Sequence, residues 1–287
     1  MHFVKAKSIL SAQNGMNIYR GCAHGCIYCD SRSLCYGFTH AFEDIEVKEN
    51  APELLEQALR RKRRPCMIGT GSMSDPYQPL ELQLGLTRRC LELIERYGFG
   101  ATVLTKSTRV LRDLELLQRI NRRTKAVVQM TLTTFDDALC RIVEPNVEPT
   151  SERLAALRTL HEAGIPTVVW LTPILPFLND TEDNLRGLLD GCAEAGVRGI
   201  VHFGTGLTLR EGDREYFFAA LDRHFPGLKA AYIARYGLAY ELPSPNSPAL
   251  LRLIRERCEK HGMLEGADAC FHYLTELPDK YEQTSLF

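Results

Sequence analysis

Residues 20–30 read RGCAHGCIYCD, placing Cys22, Cys26 and Cys29 in eleven residues of a chain of ordinary composition. Thiolates are metal ligands and redox nucleophiles, and thiols clustered in a reducing compartment point to metal or redox chemistry. A closed zinc site takes four protein ligands. His24 is a candidate fourth, but it lies between Cys22 and Cys26, where binding the ion held by both neighbours would strain the loop. A four-iron cluster held by only three cysteines leaves one iron without a protein ligand, and an open metal position is where chemistry can occur. The spacing alone leaves zinc and iron–sulfur both open. Most of the other cysteines, among them Cys90, Cys140, Cys192 and Cys258, fall singly in helical or strand patterns and read as small buried hydrophobes.

These thiols need a scaffold, and the chain supplies one. Its 287 residues are 45% hydrophobic and 25% charged, which fits a globular protein with a substantial core. No apolar run reaches the ~18–20 residues of a membrane span, and the first residues lack the apolar core and cleavage site of a signal peptide, so a cytoplasmic location is expected. A net charge of −1 excludes a uniformly basic, DNA-coating protein.

After residue 50 amphipathic helices alternate with short apolar strands: CMIGTG, GATVLT, AVVQMTLTT, IPTVVWLTP and RGIVHFGT. With GMNIYR as the first, the pattern predicts six strands, five of them preceded by a helix. Such alternation implies right-handed βαβ units and a parallel sheet. The expected fold is α/β, a partial (β/α)6 TIM-like barrel over residues 1–206. Residues 207–287 read as a helical C-terminal extension packed on it and ending in a short tail. Ligands in such folds bind at the C-terminal ends of the strands. The cysteine loop directly follows the first strand, at that face. The basic runs at 60–64 and 119–125 close helices just before strands, so they belong at the opposite face, as solvated helix ends that complement the helix dipole.

Cys22, Cys26 and Cys29, with Tyr28 before the third cysteine, resemble the CxxxCxxC motif of the radical S-adenosylmethionine superfamily, whose partial barrel the six βα units also resemble. The resemblance implies a [4Fe–4S] cluster whose unique iron is chelated by S-adenosylmethionine. Reductive cleavage of that cofactor yields a 5′-deoxyadenosyl radical that takes a hydrogen from the substrate. It further implies roles at the strand ends. Ser74 and Asp75 resemble the segment that meets the methionine amino group, although Ser-Asp-Pro also caps turns. Lys106 stands where a cation can pair with the methionine carboxylate. Thr131 and Thr133 suit ribose hydroxyls by two-residue alternation, although threonine also simply favours strands. Arg141, Glu144 and Arg153 fall in a stretch that orients the cofactor or forms a structural ion pair.

The segments YRGCAHGCIYC, SMSDPYQP, TKS, EPNVEPTSERLAALRTLHEAGIP and PILPFLND are similar to the spore photoproduct lyase family, described as DNA-repair photolyase-like, over residues ~14–205. That similarity implies a nucleobase in nucleic acid as substrate, and an electron donor such as flavodoxin or ferredoxin. In the lyase a cysteine and two tyrosines return the hydrogen. Here Ser72 aligns with the donating cysteine and Asp30 follows the third cluster cysteine. Tyr28 and Cys35 are therefore the candidates for that catalytic role. Two rivals are a peptide, tRNA or small-metabolite substrate for the same radical core, and a metal-stabilised binding protein without turnover. The terminal QTSLF resembles the pentapeptide by which bacterial DNA-processing proteins bind the sliding clamp, with Gln283, Leu286 and Phe287 matching.

Overall fold

The computed structural model describes residues 1–278. Its centre is a seven-stranded sheet of β1 (Gly15–Met16), β2 (Met67–Thr70), β3 (Gly100–Thr105), β4 (Ala126–Thr131), β5 (Thr167–Trp170), β6 (Gly199–Val201) and β7 (Leu264–Glu265). The strands lie in sequence order and every pair is parallel. β4 is buried at all six positions, which is why AVVQMT reads as an unbroken run rather than an alternating one.

Helices α1 (Ala51–Arg61), α2 (Leu86–Tyr97), α3 (Leu114–Arg123), α4 (Asp137–Val143), α5 (Thr150–Glu162) and α6 (Glu182–Glu194) intervene between the strands. Each long one buries residues three or four apart: Leu55 and Leu59 in α1, Leu91 and Ile94 in α2, Leu116, Leu117 and Ile120 in α3. Arg60 and Arg61 end α1, and Arg122 and Arg123 end α3. These residues precede β2 and β4, so the basic runs lie at the N-terminal ends of the strands, away from the cysteine loop.

Three expectations need correction. The amphipathic pattern predicts one helix over residues 80–97, but it is broken by Gly85, whose φ of 61° is left-handed and costs glycine little. Only Gly15–Met16 of the expected first strand joins the main sheet. Tyr19–Arg20 instead pairs antiparallel with Glu46–Lys48, which also pairs in parallel with His2–Val4. Third, the segment after residue 206 is not helical alone. It supplies β7, and it carries a hairpin of Gly206–Thr208 on Glu241–Pro243 beside helices α7 (Asp213–His224), α8 (Leu228–Tyr236), α9 (Ser247–His261) and α10 (Ala267–Thr275). Among the described residues no helix is long and apolar enough to cross a membrane.

Candidate active site

The C-terminal strand ends open into a cavity of about 670 Å³. Cys22, Cys26 and Cys29 line it together with Tyr28, Ser74, Asp75, Lys106 and Thr131. All ten cysteines are unpaired.

The cysteine loop is held by main-chain straps from residues distant in sequence. Ile27 N–H donates to the Val143 carbonyl, Asn146 N–H to the His24 carbonyl, and Asn146 Nδ2 to the Ala23 carbonyl. Buried Gln78 accepts from Ala23 N–H at 3.1 Å. Gly21 enters the loop at φ 90°, and a Cβ there would lie 2.3 Å from the Phe42 carbonyl oxygen, so only glycine lets the two backbones pass. Neither Gln78 nor Asn146 was singled out by sequence. Each sits in a quoted motif, DPYQP or EPN, but its task is a hydrogen bond that only the fold reveals.

Asp75 binds the strand ends to one another. Its Oδ1 accepts from Tyr77 N–H at 2.8 Å and the Thr105 hydroxyl at 2.7 Å, and its Oδ2 accepts from Lys106 N–H at 2.7 Å. His24 Nδ1 lies 3.5 Å from the same Oδ2. Burial alone would lower the imidazole pKa, but the charges of Asp75 and Cys22 outweigh it and lift it to about 9. The same ring holds the Cys22 thiol below its ordinary value although burial opposes this, whereas burial pushes Cys26 well up against the pull of Lys106. The Ser74 hydroxyl is committed to the Tyr19 carbonyl at 2.7 Å.

A second buried group lies beneath the wall. Glu144 accepts hydrogen bonds from the Tyr28 hydroxyl and the Arg153 guanidinium, and Lys106 Nζ is 3.7 Å away. Both Glu144 and Arg153 are fully buried. Burial would raise the carboxyl pKa, but the Arg153 and Lys106 charges win and hold it at about 2. Arg153 also donates to the Thr131 carbonyl at 2.8 Å, fixing the end of β4. Glu144 does not line the cavity; it orders Tyr28, Lys106 and Thr131, which do.

The remaining expectations are not brought to the cavity. β4 ends at Thr131, so the alternation that paired it with Thr133 stops short, and buried Thr133 lies off the lining. Arg141 is exposed on α4, where it donates to the Asp137 carbonyl one turn back. Cys35 is exposed outside the cavity with its Sγ 3.6 Å from Arg210. It sits on a short helical turn, Leu34–Tyr36. Gln283, Leu286 and Phe287 lie outside the described residues.

The opposite wall is aromatic and was missed. Trp170, at the end of β5, stands 5.7 Å ring-to-ring from Phe203 and 5.8 Å from Phe271. Phe203 is 62% exposed, and with Trp170, Tyr240 and the 206–208 hairpin it lines the cavity. The one signal was that the chain's single tryptophan closes a strand.

The donor set fits a cluster better than a lone ion. Among the described residues only His2, His40 and Asp44 bring three ligand atoms within 4.8 Å of one another; the cysteine triad does not. Three thiols spread over one cavity wall suit a cluster, in which each takes a different iron, and no side chain among the described residues completes a four-ligand zinc shell around them.

Comparison with known proteins agrees. The model of the Radical SAM superfamily matches residues 16–190. An uncharacterized protein of Mycobacterium bovis is 32% identical over 253 residues, which are 84% of this chain and 71% of that protein. A mutant of spore photoproduct lyase superposes with a TM-score of 0.65 at 18% identity, covering 91% of this chain and 78% of that one. A radical SAM methyltransferase from Sphaerobacter thermophilus follows at TM-score 0.50 and 18% identity, covering 91% and 68%. This chain belongs to the radical SAM superfamily and is an enzyme whose cofactors are a [4Fe–4S] cluster and S-adenosylmethionine.

Proposed function

We propose that Cys22, Cys26 and Cys29 hold the cluster with one iron open to S-adenosylmethionine, and that the enzyme acts on a nucleobase in nucleic acid. The observation that carries the substrate half is the pair Trp170 and Phe203, which line the same cavity as the cysteine loop and are backed by Phe271. Partly exposed aromatic faces at a cavity mouth suit stacking on splayed-out planar bases. The spore photoproduct lyase fold has been solved with a dinucleoside photoproduct bound, which accords with this reading.

Bound together, cluster and S-adenosylmethionine supply a carbon-centred radical that takes a hydrogen atom from the substrate. The protein's part is positioning and exclusion. Lys106, ordered by Glu144, presents a cation to the cavity and suits a carboxylate of the cofactor. Asp75 has its oxygens occupied by Tyr77, Thr105 and Lys106, so we assign it to holding the strand ends rather than to touching the cofactor. Tyr28, its hydroxyl given to Glu144, packs its ring near the Lys106 ammonium at 5.6 Å. An electron donor of the flavodoxin or ferredoxin type would reduce the cluster. Ten unpaired thiols suit the reducing cytoplasm.

One observation favours a second reading of the substrate. Among the described residues the triad supplies the only thiols lining the cavity, so no further cysteine there stands ready to return a hydrogen. That fits a peptide, tRNA or small metabolite whose product radical is quenched otherwise. The test is anaerobic reconstitution followed by reductant and S-adenosylmethionine, with 5′-deoxyadenosine measured with and without dimer-containing DNA. Stimulation by DNA that is lost in Trp170→Ala supports the nucleobase reading. Product formation indifferent to DNA and RNA overturns it, and none under any condition overturns the assigned cluster site.

A further inference from the structure

A second cluster of ligating side chains lies far from the cysteine triad in function but close to it in the chain. His2, His40 and Asp44 bring one donor atom each within 4.8 Å of the others. His2 begins one strand of the small sheet, and His40 and Asp44 lie in the loop that leads into its middle strand, Glu46–Lys48. His2 N–H donates to the Ile45 carbonyl at 3.0 Å, and His2–Val4 pairs in parallel with Glu46–Lys48. The two imidazole rings meet edge to face at 4.8 Å, and Phe38 packs against His40 at 5.5 Å.

The hydrogen bonding of His40 gives the cluster a direction. Its Nδ1 lies 2.9 Å from the Ala41 carbonyl oxygen, which can only accept. Nδ1 is therefore the donor, and in the neutral ring Nε2 carries the lone pair. That Nε2 is buried without a hydrogen-bond partner. A buried acceptor with nothing to accept from is costly. An imidazole whose far nitrogen is tied to a carbonyl is the arrangement that prepares a metal ligand. His2 Nδ1 meets Asp44 Oδ2 at 3.0 Å, a contact an ion can replace.

We infer that His2, His40 and Asp44 form a binding site for a divalent transition-metal ion, with zinc best suited to two imidazoles and a carboxylate. On binding, the proton between His2 Nδ1 and Asp44 Oδ2 leaves to solvent or moves to Nε2, and the ion takes its place. The fourth position falls to water or to Glu46, whose Oε2 is 3.9 Å from His40 Nε2. The amino group of Met1 holds the other Asp44 oxygen at 3.0 Å and does not block this exchange. The site ties residues 38–44 to the first strand. That segment backs the cysteine loop, because the Phe42 carbonyl is the group Gly21 must pass. The ion is thus a structural clasp behind the active site, independent of the chemistry in front of it.

The test uses the cluster-loaded protein without a histidine tag, dialysed against micromolar zinc and analysed for iron and zinc together. One equivalent of zinc beyond the iron is expected in the wild type, together with a melting temperature that rises with zinc concentration. His40→Ala and the His2→Ala/Asp44→Asn pair should each weaken zinc binding by at least about 100-fold while iron content stays full. A triple Cys22→Ala/Cys26→Ala/Cys29→Ala variant, checked for folding by circular dichroism, should lose the iron and keep the zinc. Zinc retained unchanged by the histidine variants, or no zinc taken up by the wild type, overturns the site. Neither result bears on the radical chemistry.

Discussion

The two walls of the cavity are built on opposite principles. The cysteine wall is polar and buried: Asp75 and Glu144 each gather several donors, and Arg153 spends its charge entirely inside the protein. The facing wall is aromatic and partly exposed, with Phe203 standing 62% in solvent and the Trp170 indole making one hydrogen bond, to Gln129 at 2.7 Å. A wall that must hold a charged cofactor in one pose needs its hydrogen bonds made in advance. A wall that receives planar substrates of varied sequence needs faces rather than fixed donors. On the proposed reading, the contrast separates a side that holds the cofactor from a side that receives the substrate.

The division can be broken most sharply on the cofactor side. Replacing any of Cys22, Cys26 or Cys29 by alanine should abolish both the visible cluster absorbance and 5′-deoxyadenosine formation; survival of either would mean the triad is not the ligand set. Next in size is the buried pair. Glu144→Gln leaves the Arg153 guanidinium buried without its counter-charge, which should cost about 3–5 kcal/mol in urea unfolding. A loss below 1 kcal/mol would show that Arg153 finds another partner and that the cofactor wall is less tightly coupled than described.

On the substrate side the effect should be smaller and of another kind. Trp170→Ala should raise the KM for a nucleic-acid substrate by roughly tenfold or more, the equivalent of ~1–3 kcal/mol of lost stacking, and leave deoxyadenosine formation without substrate unchanged. Equal losses in both assays would erase the distinction between the walls. The smallest effect concerns a buried carboxyl at the start of α7. Asp213 is pushed up to about 6, chiefly by burial and then by the charge of Asp30, against main-chain hydrogen bonds from Arg210 and Arg214. A carboxyl whose folded pKa is raised contributes stability that is complete below its unfolded value and lost as pH rises through about 6. Asp213→Asn, neutral throughout, should gain in melting temperature relative to the wild type between pH 4 and pH 7. Parallel curves would refute the shift.

The same contrast explains what could be read from the chain. The gathering of the cysteine wall was legible because its residues crowd into short motifs at strand ends: three cysteines in one loop, SDP after β2, TKS at the end of β3. The parallel sheet was legible because doubly buried strands leave continuous apolar runs, as β4 does in AVVQMT. Thr133 lies off the lining because β4 ends two residues earlier, and strand periodicity says nothing about where a strand stops. Cys35, only six residues beyond Cys29, also lies off it, on the turn Leu34–Tyr36, because six residues of sequence are not six residues of straight chain. The aromatic lining was invisible because it joins Trp170, Phe203 and Tyr240, drawn from two strand ends and a hairpin, and is backed by Phe271 from a helix. β7 escaped for a related reason, since two residues, Leu264–Glu265, leave no pattern to detect.

The central claim is that three thiolates hold a four-iron cluster and leave its fourth iron to S-adenosylmethionine. It is tested most directly by electron paramagnetic resonance of the anaerobically reconstituted, reduced protein before and after that cofactor is added. The account predicts a reduced-cluster signal that changes shape on addition, and no signal in the Cys26→Ala variant. A signal indifferent to S-adenosylmethionine, or reconstituted protein that holds zinc on the triad and no cluster, would contradict it.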